Sequence, residues 1–445
     1  MKYEDLISKY HSFIYHGFKI NETTNNIEVV YDFEIEGLSK FNPSFKISKK
    51  TITNPKISVK MLNLLLFNIG MVEAISYYKL TCSKTFIIEK YYLTANQKKW
   101  WQKLFFYGLG EFLYRNKIKV KCEDLVTFEC KGKKQEIMDN NFTSKGNIIP
   151  VGGGKDSCVT LELLKGMDNT PFTINSKDVH KKCIETAGYK SWYNIERNLD
   201  KKILDFNSKG YLNGHTPFSA LVAFYSYLVA YLSNRKYIIL SNEDSANEST
   251  VLKSFVNHQY SKSFEFESDF DYYVSKYIGL DIHYFSLLRP IKEIRIAYLF
   301  SKYKKYHNVF KSCNLGSKEK EWNWCGSCSK CLFVFIILSA FLPLDYLTKL
   351  FNKNLYEDKE LLNTFKEILG FSDVKPFDCV GEVNEAKLAV SMAIKNNKDN
   401  KLPYLLKYYA DNYPLFNKDL LNSYSNKNLI PKAFNNIVKE MMKND

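Results

Sequence analysis

The sequence predicts an α/β protein built on a doubly wound, mainly parallel sheet. Between residues 148 and 304, short apolar runs alternate with amphipathic stretches, which is the pattern of parallel strands joined by helices. Polar clusters follow several of the apolar runs, where the carboxyl ends of such strands form a ligand crevice. We expect an N-terminal α+β domain over 1–140, a central α/β domain over 141–345 and a C-terminal helical region over 346–445.

The N-terminal part carries both strand and helix patterns. Residues 27–36 alternate apolar with acidic side chains, which predicts a half-buried strand. Two helices, from about 60 to 80 and from about 95 to 116, flank a short strand at 86–90. Gly108 and Gly110 interrupt the second helix, where glycine permits close packing or close approach of a ligand. The polar stretch 131–147 is the predicted domain boundary.

The central part supplies the predicted parallel sheet. Its apolar runs predict strands at 148–151, 171–175, 195–200, 237–241 and 281–286. Its amphipathic runs predict helices near 157–166, 217–234 and 290–304. The apolar run 332–342 predicts a further, buried helix, and amphipathic helices alternate with polar turns from 345 to the end.

The first of these strands enters a loop of three glycines, Gly152 to Gly154, followed by Lys155, Asp156 and Ser157. Glycines let backbone N–H groups face one point, and the helix that follows adds its positive dipole end, so the loop favours an anion. Neither a Walker loop nor a dinucleotide fingerprint fits the spacing. The loop resembles the pyrophosphate loop of the ATP pyrophosphatases, Ser-Gly-Gly-x-Asp-Ser, with Gly152 in place of the first serine. An ordinary glycine-rich turn is the alternative interpretation.

Three polar loops follow predicted strands or precede predicted helices, at 213–217, 241–249 and 256–263. A helix cap, a solvated loop and a structural histidine are the ordinary interpretations of each loop taken singly. Together they predict a substrate crevice, because contacts to substrate and metal collect at the ends of such strands. Mg²⁺ prefers one or two carboxylates together with nucleotide phosphates. The carboxylates available for it are Asp156, Glu243, Asp244 and Glu248.

Four of the ten cysteines form a group with the spacing C-x11-C-x2-C-x2-C. Four thiolates at such a spacing can close a tetrahedron around a structural zinc ion, and Gly326 gives the turn the backbone freedom it needs. The four are Cys313, Cys325, Cys328 and Cys331. Unligated thiols near a helix start are the alternative. The other six, including Cys379, are predicted to be small buried apolar residues.

Composition sets the class of protein. The chain of 445 residues is 45% hydrophobic and 25% charged, and its start does not resemble a signal peptide. No uncharged apolar run approaches the length of a membrane span, so we expect a cytoplasmic protein without a membrane partner. The net charge of +15 invites a nucleic-acid hypothesis. Its lysines are scattered and only five of the 63 basic residues are arginine, so we expect no nucleic-acid partner.

The motifs, taken together, resemble those of the ATP-dependent UDP-N-acetyl-α-D-muramoyl-L-alanyl-L-glutamate epimerases of peptidoglycan synthesis. The similarity runs in one consistent order from about residue 20 to 400. The motifs are Gly108-Leu109-Gly110-Glu111 with Tyr114-Arg115-Asn116, the loop 151–157, Asn213-Gly214-His215, Ser241-Asn242-Glu243 with Ser245-Ala246-Asn247-Glu248, 257–263, Trp324-Cys325-Gly326 with Cys328, Lys330 and Cys331, and Lys375-Pro376-Phe377 with Cys379-Val380-Gly381.

The resemblance implies a PP-loop catalytic domain and an ATP-dependent reaction on a small nucleotide-sugar peptide. An α-proton beside a free carboxylate is poorly acidic, because its removal places a second negative charge next to the first. Transfer of AMP to the terminal glutamate's carboxylate removes that charge. A base then takes the α-proton, the other face is protonated, and hydrolysis releases AMP, so L-glutamate becomes D-glutamate.

The resemblance also implies roles for residues at the loop. Gly152, Gly153, Gly154 and Ser157 would hold the departing pyrophosphate, and Lys155 would stabilise its charge. Asp156 would position Mg²⁺. The candidates for proton transfer are His258, His215 and Glu243, in that order, because a base should titrate near the working pH beside the nucleotide. The predicted substrate-binding residues are Arg115, Asn257, Lys262 and Arg289. The three cations among them, Arg115, Lys262 and Arg289, suit the substrate's carboxylates or diphosphate.

Two other functions remain open at this point. The loop and the cysteine group also resemble 7-cyano-7-deazaguanine synthases and related RNA-modifying enzymes, so an adenylating ligase or base-modifying enzyme is one alternative. A non-catalytic nucleotide-binding protein is the other, favoured by Gly152 in place of serine. The sequence does not identify the number of proton-transfer residues or the oligomeric state.

Overall fold

A computed structural model describes residues 1–134, 142, 144–318, 323–399 and 401–443. Within these residues one large mixed sheet forms the centre of the molecule. Its strands are β1 (Ser12–Glu22), β2 (Asn26–Ile35), β3 (Ser39–Phe41), β4 (Ser44–Ser48), β5 (Thr85–Ile88), β6 (Thr127–Cys130), β7 (Asn147–Pro150), β8 (Asn169–Ile174), β9 (Tyr193–Asn198), β10 (Tyr237–Leu240) and β11 (His283–Ser286).

Seventeen α-helices surround the sheet in the described part of the chain. They are α1 (Tyr3–Lys9), α2 (Val59–Tyr78), α3 (Ala95–Gly108), α4 (Gly110–Arg115), α5 (Cys122–Leu125), α6 (Lys155–Leu163), α7 (Asp178–Thr186), α8 (Lys202–Ser208), α9 (Phe218–Leu232), α10 (Phe264–Tyr277), α11 (Glu293–Lys302), α12 (Ser329–Ser339), α13 (Leu344–Phe351), α14 (Leu362–Ile368), α15 (Val383–Asn396), α16 (Tyr404–Asn412) and α17 (Asn435–Met441).

The strand order is β11-β10-β7-β8-β9-β4-β2-β1-β5-β6, with β3 paired to β2. The five strands from β11 to β9 are mutually parallel, as are β1, β5 and β6. The pairs that β4 makes with β9 and β2, and that β2 makes with β1, are antiparallel. The predicted boundary near residue 140 therefore does not separate two sheets, because β4 continues the sheet from β9.

Helices cover both faces of the central strands β7 and β10, where alternate residues enter different cores. Ile148 and Ile238 pack in one core with α9 and the N-terminal helices. Ile149 and Ile239 pack in the other core with α6, α11 and α12. Both cores are apolar, so the central strands β7 and β10 are buried on both faces, as in a parallel sheet covered by helices. The prediction of a large, mostly parallel sheet flanked by helices is confirmed.

Among the residues that the structure describes, one helix, α2, is long and apolar enough to cross a membrane, and 72% of its most apolar window is buried inside the protein. It packs against β1, β2 and α9 within the first core. Its composition is therefore that of a core helix.

The predicted strands and helices of the central part all occur, with ends shifted by up to a few residues. The predicted helix at 95–116 is divided at Leu109 into α3 and α4. The elements that were not predicted are strands β1, β3, β4 and β6 and helices α1, α5, α7, α8 and α10. Of the predicted boundary segment 131–147, residues 135–141 and 143 lie outside the described residues.

Candidate active site

The glycine loop lies where the central strand β7 leads into α6. Gly153 has φ +77°, and a Cβ atom there would lie 2.5 Å from Val179 Cγ1. Gly152 has no heavy atom within 4 Å of an equivalent Cβ, so this position has room for the serine that it replaces. No side chain in the described part of the chain caps the N-terminus of α6. Its unpaired N–H groups and its dipole are consequently available to an anion in the cavity that the loop lines.

Lys155 does not reach that cavity. Its side chain is 1% exposed, and its ammonium contacts Asp156 and lies 2.5 Å from Glu293 Oε1. Burial alone would favour the neutral amine, but these two carboxylates raise the pKa of Lys155. The role of Lys155 in stabilising the departing pyrophosphate stays a prediction, and in this structure its charge is paired with two carboxylates inside the protein. Lys155 fixes Asp156 at the start of α6.

The cations at the cavity come from other parts of the chain. The cavity has a volume of about 330 Å³, and Lys262, Lys311 and Lys330 line it together with the glycine loop. Asp156, Ser157 and Glu243 contribute polar side chains, and Phe172, Ile174, Val222 and Leu240 contribute apolar ones. The cavity thus has an apolar side next to a loop whose N–H groups suit an anion. A nucleotide needs both, the apolar side for its base and the loop for its phosphates.

Glu243 and Lys262 are held by a buried arginine. Arg289 is 0% exposed; its guanidinium donates to the backbone carbonyls of Glu243 and Lys262, each at 2.5 Å, and pairs with Glu267 at 2.8 Å. The predicted contact of Arg289 with substrate stays a prediction, and in this structure its donors are occupied inside the protein. Arg289 positions two cavity residues.

Two of the carboxylates proposed for Mg²⁺ are engaged elsewhere. Asp244 pairs with Lys292 at 2.6 Å, and Glu248 pairs with Lys375. Of the four carboxylates, only Asp156, which also contacts Lys155, and Glu243 are among the residues that line the cavity. A magnesium ion beside the phosphates would therefore find its carboxylate ligands in these two residues.

A hydrogen-bonded cluster lies between α4 and the two polar loops that carry histidines. Glu111 Oε2 accepts from His258 Nδ1 at 2.5 Å and lies 3.7 Å from His215 Nδ1. Arg115 Nε donates to Glu111 Oε1 at 2.6 Å. A Cβ atom at Gly110 would lie 3.7 Å from Val256 Cα, an ordinary contact distance, so α4 packs closely on the segment that carries His258.

The two histidines of this cluster carry different charge. Burial favours a neutral His258, but hydrogen bonds to Cys379 and Glu111 raise its pKa to about 9. Burial and the neighbouring His258 lower the pKa of His215 to about 3. His258 is therefore the cationic member at neutral pH, and His215 is neutral. The ligand atoms of Glu111, His215 and His258 lie within 4.8 Å of one another, but Glu111 already accepts hydrogen bonds from His258 and Arg115, so we interpret the group as a hydrogen-bonded relay.

Cys379 connects this relay to the cavity. It lines the cavity wall, and its Sγ lies 3.2 Å from Lys262 Nζ. Burial opposes a thiolate, yet Lys262, His258 and Lys330 together lower the pKa of Cys379 to about 6. The prediction that Cys379 is an apolar buried residue is wrong, because its sulfur contacts two cationic side chains.

Asn257 folds the loop beside His258. Its amide donates to the carbonyl of Ala246 at 2.9 Å and its oxygen accepts from the Gln259 backbone at 2.7 Å. It is not among the residues that line the 330 Å³ cavity. Its predicted contact with substrate stays a prediction, and the structure shows it as a residue that positions His258.

A second and larger cavity, of about 1320 Å³, lies on the other side of α4. Arg115, Tyr114 and Phe255 border it, and Val256 connects it to the loop of His258. Its other cations are Lys84, Lys117, Lys119 and Lys121, against the acidic residues Glu123 and Asp124. The cavity is therefore basic with aromatic residues at its wall.

The four grouped cysteines converge below the active-site cavity. The Sγ atoms of Cys313 and Cys328 are 3.8 Å apart, those of Cys325 and Cys331 are 3.7 Å apart, and all four lie within 4.8 Å of one another. Zn–S bonds of about 2.3 Å in a tetrahedron place sulfurs about 3.8 Å apart, whereas a disulfide needs about 2.05 Å. The geometry thus fits a closed, structural zinc site.

The sequence predicted the loop, Glu243, Lys262 and the cysteine group at this site. It missed the cavity lysines Lys311 and Lys330, the carboxylate Glu111 as the partner of His258, and Cys379. The signal was present in the motifs, since Glu111, Lys330 and Cys379 all stand within them. Their roles depend on contacts between distant parts of the chain.

Two family models together match most of the chain. A family model described as the MurL N-terminal domain matches residues 5–287, and one described as the MurL C-terminal domain matches residues 309–420. Three similar curated proteins are each named UDP-N-acetyl-alpha-D-muramoyl-L-alanyl-L-glutamate epimerase.

The relative from Xanthomonas oryzae pv. oryzae is 32% identical over 330 residues, which cover 72% of each chain. That from Micromonospora sp. is 29% identical over 408 residues, 88% of this chain and 89% of its own. That from Salinispora tropica is 33% identical over 293 residues, 64% of this chain and 63% of its own.

Proposed function

The chain belongs to the MurL family of UDP-N-acetyl-α-D-muramoyl-L-alanyl-L-glutamate epimerases, and we propose that it inverts the terminal glutamate of that substrate through an acyl-adenylate. The observation that carries the mechanism is the uncapped N-terminus of α6 behind the glycine loop, which faces a cavity with three lysines. Such a site suits the pyrophosphate that leaves when AMP is transferred. We accordingly assign the parallel part of the sheet to the PP-loop ATP pyrophosphatase fold.

We infer that the adenine base and the phosphates of ATP contact different sides of the cavity. The apolar wall formed by Phe172, Ile174, Val222 and Leu240 suits the adenine base. The loop N–H groups, with Lys262, Lys311 and Lys330, face the phosphates. Asp156 and Glu243 would hold Mg²⁺, which neutralises charge on the phosphates when bound.

The basic cavity beside α4 is the proposed location of the substrate's uridine diphosphate. Five cations face it, and Tyr114 and Phe255 offer ring surfaces for a base. Arg115 borders this cavity and also binds Glu111 of the relay. A substrate with its nucleotide here and its glutamate in the first cavity would pass beside His258, which joins the two regions.

The structural zinc and the cytoplasmic location are proposed on separate observations. The sulfur spacings of the cysteine group fit zinc, as described above. All ten cysteines are free of disulfides, which agrees with a reducing compartment. The two alternatives, a deazaguanine-type modifying enzyme and a non-catalytic nucleotide-binding protein, are set aside because the relatives are epimerases.

The mechanism is tested with ATP, Mg²⁺ and the L-epimer of the nucleotide dipeptide in deuterated water. We expect AMP, pyrophosphate and the D-epimer, with deuterium at the glutamate α-carbon. Epimerisation with deuterium but without AMP would refute the acyl-adenylate and leave the family assignment intact. Formation of ADP in place of AMP would do the same.

A further inference from the structure

We propose that Cys379 is the side chain that exchanges the substrate's α-proton on one face of the glutamate, and that His258 and Lys262 position it and balance its charge. The inference rests on the proposed acyl-adenylate mechanism and names a residue for its proton-transfer step. It departs from the sequence-based candidates, which were His258, His215 and Glu243.

Cys379 has direct access to the first cavity. His258 and His215 do not line the 330 Å³ cavity that holds the loop, whereas Cys379 does. His258 lies behind Cys379 and contacts Glu111 through Nδ1. A proton on a substrate carbon inside the cavity would therefore meet the sulfur of Cys379 first.

Most of the other polar side chains at the cavity are unsuited to act as the base. Lys262, Lys311 and Lys330 are cations, and Asp156 is paired with the buried ammonium of Lys155. His180 lies at the glycine loop and accepts a hydrogen bond from the Lys177 backbone at 3.0 Å. Glu243 remains, and its carboxylate accepts from Ser245 Oγ at 3.2 Å, so it is the rival that the experiment must separate from Cys379.

The positive charges around Cys379 favour its thiolate form. Lys262 Nζ lies 3.2 Å from Sγ, and His258 and Lys330 add positive charge. Glu111 in turn holds His258, so the arrangement is carboxylate, imidazole and thiol in sequence. This is the order in which a reactive cysteine is activated by a histidine and an orienting acid.

The step conserves atoms and charge. In the acyl-adenylate, the Cα–H bond breaks and its proton forms the S–H bond of Cys379, while the electron pair enters the enolate. A proton from water reaches the opposite face of Cα, and Cys379 returns its own proton to water. No oxidant or reductant takes part.

The test compares Cys379→Ser with Cys122→Ser, a control cysteine that is partly exposed on α5, outside both cavities. Two partial reactions are measured: ATP–pyrophosphate exchange that depends on the nucleotide dipeptide, and deuterium uptake at the α-carbon from the L-epimer and from the D-epimer separately. For Cys379→Ser we expect exchange within a few-fold of wild type and deuterium uptake lower by about 10²- to 10⁴-fold from at least one epimer. Cys122→Ser should match wild type in both.

Wild-type deuterium uptake from both epimers by Cys379→Ser would overturn the inference, and a selective loss in Glu243→Gln would then identify the rival. Absence of pyrophosphate exchange in the wild type would instead overturn the proposed adenylation. If the serine variant does not fold, iodoacetamide on the wild type replaces it. Deuterium uptake should fall in proportion to the fraction of Cys379 that is alkylated, and ATP with the dipeptide should protect Cys379 from alkylation. Full alkylation of Cys379 without loss of deuterium uptake would count against the inference.

Discussion

The glycine loop makes a sharp prediction, because adjacent glycines face different surroundings. In Gly153→Ala the new methyl group would lie 2.5 Å from Val179 Cγ1, on a backbone with φ +77°. The left-handed conformation costs a non-glycine residue about 1–2 kcal/mol, and forcing a methyl group into a packed site costs about 1–3 kcal/mol. We expect the free energy of unfolding to fall by about 2–5 kcal/mol.

We expect Gly153→Ala to lose ATP–pyrophosphate exchange activity as well as stability. The carbonyl of Gly153 accepts from the Lys311 backbone at 3.0 Å, so a displaced loop also displaces a cavity lysine. Urea unfolding followed by circular dichroism measures the first effect, and dipeptide-dependent ATP–pyrophosphate exchange measures the second. We expect the exchange to be lost in conditions where the variant is still folded.

Gly152→Ala is the matched control, since its methyl group would meet no heavy atom within 4 Å. We expect its stability to stay within about 0.5 kcal/mol of wild type. Gly152→Ser, which restores the usual residue of the pyrophosphate loop, should be equally stable and active. Equal losses in Gly153→Ala and Gly152→Ala would refute the geometric reasoning.

Four further changes test separate parts of the site. Lys330→Met should raise the KM for ATP about tenfold or more, because the substitution removes a cation from the first cavity. An unchanged KM would count against a role of Lys330 in ATP binding. Lys119→Glu should raise the KM for the nucleotide dipeptide and leave that for ATP unchanged, as steady-state kinetics would show. Glu111→Gln should lower the pKa of His258 below about 9, because a carboxylate no longer stabilises the imidazolium; an NMR titration reports it. Cys328→Ser should abolish bound zinc by metal analysis, and an undiminished zinc content would reject the four-cysteine site.

The parts of the site that sequence reasoning predicted are local. A strand, three glycines and a helix follow one another within 148–163, so the loop could be predicted from neighbours alone. The cysteines likewise lie within a short stretch. The contacts that sequence reasoning did not anticipate join distant residues: Lys155 pairs with Glu293, which is 138 residues away, and Cys379 contacts Lys262 across 117 residues.

The fold shows the same limit. Alternation of apolar and polar residues predicted β2, and continuous apolar runs predicted β7 and β10. That β4 would pair with β9, and so join the N-terminal strands to the parallel ones, depends on a contact between separate segments. No local pattern encodes such a pairing, so the predicted domain boundary fell inside a continuous sheet.

The cysteine group also bears on the chemistry, although its own geometry is structural. Asp378 accepts hydrogen bonds from Asn314 at 2.5 Å and from Ser329, and Lys330 donates to the carbonyl of Cys379. All three donors lie next to or between the four grouped cysteines. A metal that orders the cysteines therefore also orders the segment that holds Cys379 at the cavity wall, and loss of that metal should reduce proton transfer through the position of the sulfur.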